Sequence, residues 1–135
     1  YEGWASYAES LLAECGYIRR PIEYVVDYKR RLWRSARCRI EAGLPIGALT
    51  RQDAERLLLT TGFAASEARR QLDRFQLNPG YQLCYSLGCH EFQRLKATYG
   101  GQMDTTRFHN LLLDGGELPF HLIALRFDET LTANR

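Results

Sequence analysis

Glu2 and Glu9 stand seven residues apart in the segment Glu2-Gly3-Trp4-Ala5-Ser6-Tyr7-Ala8-Glu9. In a helix that spacing is two turns, so the carboxylates share a face about 10 Å apart along the axis. Trp4, Ala8, Leu11 and Leu12 define a neighbouring apolar face. Carboxylates beside such a stripe can hold a metal or do acid–base work. Ordinary helix surface is the competing reading, because the first turn of a helix favours Glu in any case.

A second group lies in Pro79-Gly80-Tyr81-Gln82-Leu83-Cys84-Tyr85-Ser86-Leu87-Gly88. Tyr81 and Tyr85 are one helical turn apart, so their hydroxyls can project the same way. Phenol hydroxyls can donate to a developing oxyanion; simple aromatic packing is the alternative. Gly88, roughly a turn further on, would let another helix approach closely.

Other candidates carry less. His90-Glu91-Phe92-Gln93-Arg94 opens like a His-Glu-x-x-His zinc motif, but Arg94 replaces the second His. His109 and His121 each follow a Phe and suit packing or capping. Cys84 and Cys89 with His90 lack a second half for a zinc knuckle, so the four cysteines read as reduced thiols packed in helices. Lys29 to Arg39 is the most basic stretch and could be a nucleic-acid stripe. Its apolar residues keep helical spacing, however, so the arginines fall on the other faces of an amphipathic helix. There they form a solvated or salt-bridged surface.

Composition sets the limits on these readings. The 135 residues are 45% hydrophobic and 25% charged, enough for a packed core. The net charge of +2, from 18 basic and 16 acidic groups, gives no support to a polyanion binder, so no nucleic-acid partner is expected. No run reaches the roughly 18 apolar residues of a membrane span.

The elements that must carry these residues are helical nearly throughout. Trp4, Ala8, Leu11, Leu12 and Cys15 mark a first helix stopped by Gly16. Pro21 opens a second, with Ile22, Val25, Val26, Leu32, Trp33, Ala36 and Ile40 as its apolar stripe and Gly43 at its end. Thr50 caps a third, with Leu57 and Leu58 inward and Gly62 closing it; Ser66 caps a fourth over 67–76. Asn78-Pro79-Gly80 opens a long fifth, broken at Gly100-Gly101. Asp104 caps a sixth and Pro119 precedes the last. Strand-like alternation is absent. The expectation is an all-α domain over 1–135, an irregular bundle of six or seven helices.

Three blocks resemble the bacterial domain of unknown function 885 family. Glu2 to Glu9 resembles its E-G-W-A-x-Y-x-E signature. Pro79 to Gly88 resembles its Pro-Gly turn followed by Gln and Tyr-x-x-Gly. Phe108-His109-Asn110-Leu111-Leu112-Leu113-Asp114-Gly115-Gly116-Glu117-Leu118-Pro119 resembles its F-H-x-x-L-L-x-x-G-x-x-P block. The resemblance implies a helical zinc peptidase, with two ligands and the general base on an upstream His-Glu-x-x-type helix. It implies Glu2 as a zinc ligand, Glu9 as a supporting carboxylate, and Tyr85 as the oxyanion donor with Tyr81 as the rival for that role. Gln82 and His109 would bind substrate, and Tyr81 and His109 would line the cleft or brace it. No upstream motif occurs in this sequence. The chain is therefore expected to be the C-terminal part of a longer peptidase, to meet its peptide substrate and zinc only with the missing N-terminal half, and to self-associate through the face that half would cover. A non-catalytic helical interaction module is the alternative.

Overall fold

The computed structural model describes residues 1–133. Seven α-helices and no strand occur among them: α1 (Glu2–Glu14), α2 (Pro21–Gly43), α3 (Arg51–Thr60), α4 (Ala65–Leu77), α5 (Leu83–Tyr99), α6 (Thr105–Leu113) and α7 (Phe120–Thr132). Their lengths run from 9 residues in α6 to 23 in α2, so the all-α expectation holds and the bundle is irregular.

Local chemistry accounts for most of the boundaries. Pro21 starts α2, and Glu23 reaches back to the Arg19 and Arg20 amides, each at 3.0 Å. Thr50 caps α3 by accepting from the Asp53 amide, and the Asp53 carboxylate accepts from the Thr50 amide in return. Asp104 caps α6 through the Arg107 amide at 3.0 Å. Gly16 and Gly62 have φ of +69° and +92°, the left-handed geometry that ends a helix.

Two boundaries differ from the sequence reading. The N-cap of α4 is Ala64, with no side-chain capping bond, and Ser66 sits inside the first turn. α5 starts at Leu83, so Tyr81 and Gln82 occupy the turn before the helix.

The chain divides into two compact units, Tyr1–Cys89 and His90–Arg135. In the first, α3 packs against α4 and α2. The core is Ile40, Ala54, Leu58, Ala68, Leu72 and Phe75, with Trp33, Leu44, Leu57 and Phe63 against it. In the second, α6 packs with α7. Phe127 stacks with Tyr99 at 4.8 Å and with Phe108 at 5.1 Å, while Leu95, Leu112 and Ile123 are buried. The Tyr99 hydroxyl donates to Asp128 at 3.0 Å.

Burial corrects three expectations. On α1 the buried residues are Gly3, Ser6 and Tyr7, while Leu12 and Cys15 of the expected stripe are exposed. The reason is a close crossing at Gly3, which turns that side of α1 inward. On α2 the apolar stripe is buried only in its second half. Ala36 and Ile40 are in the core, but Ile22, Val25, Val26 and Leu32 are exposed. At 1.5 Å per residue α2 is about 35 Å long and α3 about 15 Å, so α3 covers less than half of it. Cys15 and Cys84 are exposed rather than packed.

Candidate functional site

The helix crossing places the site. The Cα atoms of Gly3 on α1 and Gly88 on α5 meet with no room between them. A Cβ built on Gly88 would stand 2.7 Å from the Gly3 Cα, and one on Gly3 would stand 2.6 Å from the Gly88 carbonyl carbon. Glu2 precedes one glycine and Tyr85 lies three residues before the other. The close approach therefore brings the first turn of α1 onto the Tyr81–Tyr85 segment.

There Glu2 Oε1 accepts a hydrogen bond from the Tyr81 hydroxyl. The Tyr85 hydroxyl lies 3.5 Å from that of Tyr81, and the two rings meet edge to face at 5.8 Å. The Tyr81 hydroxyl holds the Glu2 carboxyl below its usual range, and Tyr85 and the Arg37 charge add to the effect against a desolvation penalty. The same bond raises the Tyr81 phenol above its ordinary value, because ionisation would set two anions side by side. Glu2 is thus held as a carboxylate and Tyr81 as a phenol.

Beneath this line runs one face of α2. Arg30, Arg34, Arg37 and Glu41 recur at three- and four-residue spacing, which aligns them along the helix. Arg34 forks onto Glu9, with Nη1 on Oε2 at 2.5 Å and Nη2 on Oε1 at 3.0 Å, and Arg30 adds a longer contact of 3.8 Å. The Arg34 bond holds the Glu9 carboxyl below its usual range. Glu9 therefore ties α1 to α2. Arg37 is buried, donates from Nη1 to Gln82 Oε1 at 2.9 Å, and lies over the rings of Trp33 at 4.1 Å and Tyr85 at 4.4 Å. Glu41 is buried as well and accepts from the Gly80 amide at 2.5 Å and the Leu83 amide at 3.0 Å.

The expected site residues thus fall into separate settings. Glu2, Tyr81 and Tyr85 come together. Glu9 joins the same unit through Arg34. Gln82 is buried as the acceptor for Arg37. His109 belongs to the second unit, where its Nδ1 lies 2.9 Å from the Thr105 carbonyl oxygen on its own helix. Sequence reasoning missed Arg37 and Glu41. Their signal was the spacing of Arg30, Arg34, Arg37 and Glu41, which begins in the basic stretch read as a solvated or salt-bridged helix face and ends just beyond it. Elsewhere in that stretch Arg31 pairs with Asp27 at 2.9 Å, so it is laced with ion pairs.

Among the described residues no three His, Cys, Asp or Glu side chains gather as a metal-ligand set. Glu2 nonetheless suits zinc as a single ligand. It is ionised, its hydrogen bond comes from a neutral phenol, and each carboxylate oxygen has two lone pairs. Ligating carboxylates are commonly braced by a hydrogen bond of this kind.

The all-α architecture and the Glu2–Tyr81–Tyr85 line define a helical protein with a carboxylate–phenol cluster. The model of the family described as bacterial protein of unknown function (DUF885) matches residues 1–126, and the chain belongs to that family. No curated protein matches it. Among solved structures it is similar to a candidate lipoprotein from Colwellia psychrerythraea, at 28% identity and a TM-score of 0.84 over 98% of this chain and 24% of that one. The chain spans about a quarter of the length of that relative. No described helix is long and apolar enough to cross a membrane.

Proposed function

We propose that residues 1–135 form the part of a zinc-dependent peptidase that contributes one ligand, Glu2, and a pair of phenol donors, and that this part is inactive alone. The resemblance of its three sequence blocks brings zinc and peptide hydrolysis to the reading. The observation that carries it is the Glu2–Tyr81–Tyr85 line: an ionised carboxylate braced by one phenol, with a second phenol hydroxyl 3.5 Å beyond. The remaining ligands and the general base belong, on this proposal, to chain outside residues 1–135.

A catalytic zinc lowers the pKa of bound water toward about 7 and polarises a scissile carbonyl. This chain's residues do the rest. Glu2 offers a ligand oxygen held by its helix. Tyr81 orients that carboxylate, and its proton is committed to Glu2. Tyr85 reaches Tyr81 only at 3.5 Å and is held more loosely than the Tyr81–Glu2 pair, so its O–H is the better placed of the two to turn toward a developing oxyanion. Arg37 over the Tyr85 ring keeps positive potential close to where negative charge would form. Arg34 and Glu9 hold α1 in register.

Tyr variants of a family-length protein test the assignment. Tyr85→Phe should lower chelator-sensitive peptide hydrolysis by about 10²–10³-fold, the typical loss of an oxyanion donor, and leave zinc in place. If Tyr81→Phe does so and Tyr85→Phe does not, the donor is Tyr81.

One observation favours a second reading, a helical interaction module. Ile22, Val25, Val26 and Leu32 present an exposed apolar stripe on α2. A family-length protein that binds no zinc yet keeps its fold would favour that reading.

A further inference from the structure

We infer that Arg37 and Glu41, one turn apart on α2, form a two-point grip that sets the Tyr81–Tyr85 segment in place and are positioning residues for the Glu2 site. The catalytic consequence rests on the function proposed above; the grip itself rests on packing alone.

Glu41 takes the backbone. The first amides of a helix and of the turn leading into it have no intrahelical acceptor. Here the acceptor comes from another helix: Glu41 Oε1 takes the Gly80 amide at 2.5 Å and Oε2 takes the Leu83 amide at 3.0 Å. These two amides bracket Tyr81 and Gln82. Gly80 has φ +86°, so the turn has the left-handed geometry that favours glycine. A carboxylate as buried as Glu41, at 8% exposure, must find donors, and both of its oxygens have done so.

Arg37 takes the side chains. It donates to Gln82 at 2.9 Å, and its guanidinium lies over the Tyr85 ring at 4.4 Å. Trp33, one turn earlier on α2, meets the same guanidinium at 4.1 Å. Planar stacking of this kind fixes a ring's position. Between them the two residues hold Gly80, Gln82, Leu83 and the side chain of Tyr85, and leave the Tyr81 hydroxyl to Glu2. Glu41 acts through the backbone carrying Tyr81, and Arg37 through Gln82 and the Tyr85 ring.

Amide hydrogen exchange of the 135-residue chain, read by NMR, tests the grip without zinc or substrate. Glu41→Gln replaces one acceptor oxygen by a donor, so it cannot take both amides. The Gly80 and Leu83 amides should exchange about ten- to hundred-fold faster, the range for losing a hydrogen bond to a charged acceptor, and the Tyr81 ring signals should move. Arg37→Met should shift the Gln82 side-chain amide and Tyr85 ring signals and leave the Gly80 amide protected. Unchanged Gly80 and Leu83 protection with unmoved Tyr81 signals in Glu41→Gln would overturn the inference. If Glu41→Gln does not fold, Glu41→Asp keeps the charge but is one methylene shorter. It should lose the protection of at least one of the two amides, and retention of both would overturn the inference equally.

In a family-length protein, Glu41→Gln should lower kcat about ten- to hundred-fold at unchanged zinc content and KM. A wild-type protein without zinc or hydrolysis would defeat the peptidase proposal, and the exchange result would still decide the grip.

Discussion

Gly88→Ala is the sharpest perturbation of the geometry that joins Glu2 to the tyrosines. The new methyl would stand 2.7 Å from the Gly3 Cα and 3.3 Å from the Gly3 amide nitrogen. Nonbonded carbons settle at about 3.5–4.0 Å, so α1 and α5 must part by about 1 Å. The obstacle is backbone on both sides, which has no side chain to swing away. Overpacking of this kind costs about 1–3 kcal/mol. In a chain of this size that lowers Tm by roughly 4–12 °C. The larger effect is on the site. A hydroxyl–carboxylate hydrogen bond spans about 2.5–3.0 Å, so opening the crossing by about 1 Å breaks the bond from Tyr81 to Glu2. A misplacement of about 1 Å in a catalytic group costs on the order of 10²-fold in rate. Thermal melts by circular dichroism, with Tyr81 ring shifts followed by NMR, read both consequences. Gly101→Ala is the control, since a Cβ there meets nothing within 4 Å. If Gly88→Ala melts with the wild type and leaves the Tyr81 signals unmoved, the two backbones do not touch at Gly3 and the placement of Glu2 is wrong.

Acid should weaken the first unit in a defined window. Arg34 holds the folded Glu9 carboxyl below 4.5, and the Arg19 and Arg20 amides hold that of Glu23 at about 2. Depressed folded values mean that the stabilisation is present above about 4.5 and lost as pH falls toward 2. Glu9→Gln should cost on the order of 1–3 kcal/mol at pH 7 and flatten the acid limb of a pH–stability curve; an unaltered limb would show that the Arg34 fork contributes nothing. The exposed stripe on α2 should make the 135-residue chain self-associate at high concentration, and Val26→Glu should reduce this. A wild-type chain that sediments as a monomer throughout would contradict it.

Features set by a few neighbouring residues were legible in the sequence. Thr50 with Asp53, Asp104 with the Arg107 amide, and Pro21 at the head of α2 all act within one turn, and each boundary falls where they place it. Gly88 was legible as a point of close approach, but Gly3 as its partner was not, because nothing local encodes which helix crosses there. The α2 stripe shows the limit of periodicity. Ile22, Val25 and Val26 keep the same spacing as Ala36 and Ile40, and only the lengths of the covering helices decide which half is buried. Arg37 and Glu41 were hidden for a related reason. A charged residue on an amphipathic helix is usually solvated, and only the tertiary position of the Pro79–Leu83 turn turns these two inward. Likewise Gln82 was placed with the substrate by resemblance, and nothing local in the sequence marked it as the acceptor for Arg37.

The zinc content of a family-length protein carrying Glu2 or Glu2→Gln tests the central claim most directly. Glu2→Gln keeps the shape of the side chain and its hydrogen bond from Tyr81 but removes the anionic ligand. A catalytic site of three protein ligands would give about one zinc per chain in the wild type. The variant should retain a small fraction of that metal, with its melting temperature in the apo state unchanged. Equal zinc in the two proteins would remove Glu2 from the metal site, and a wild type that binds no zinc would remove the metal site altogether.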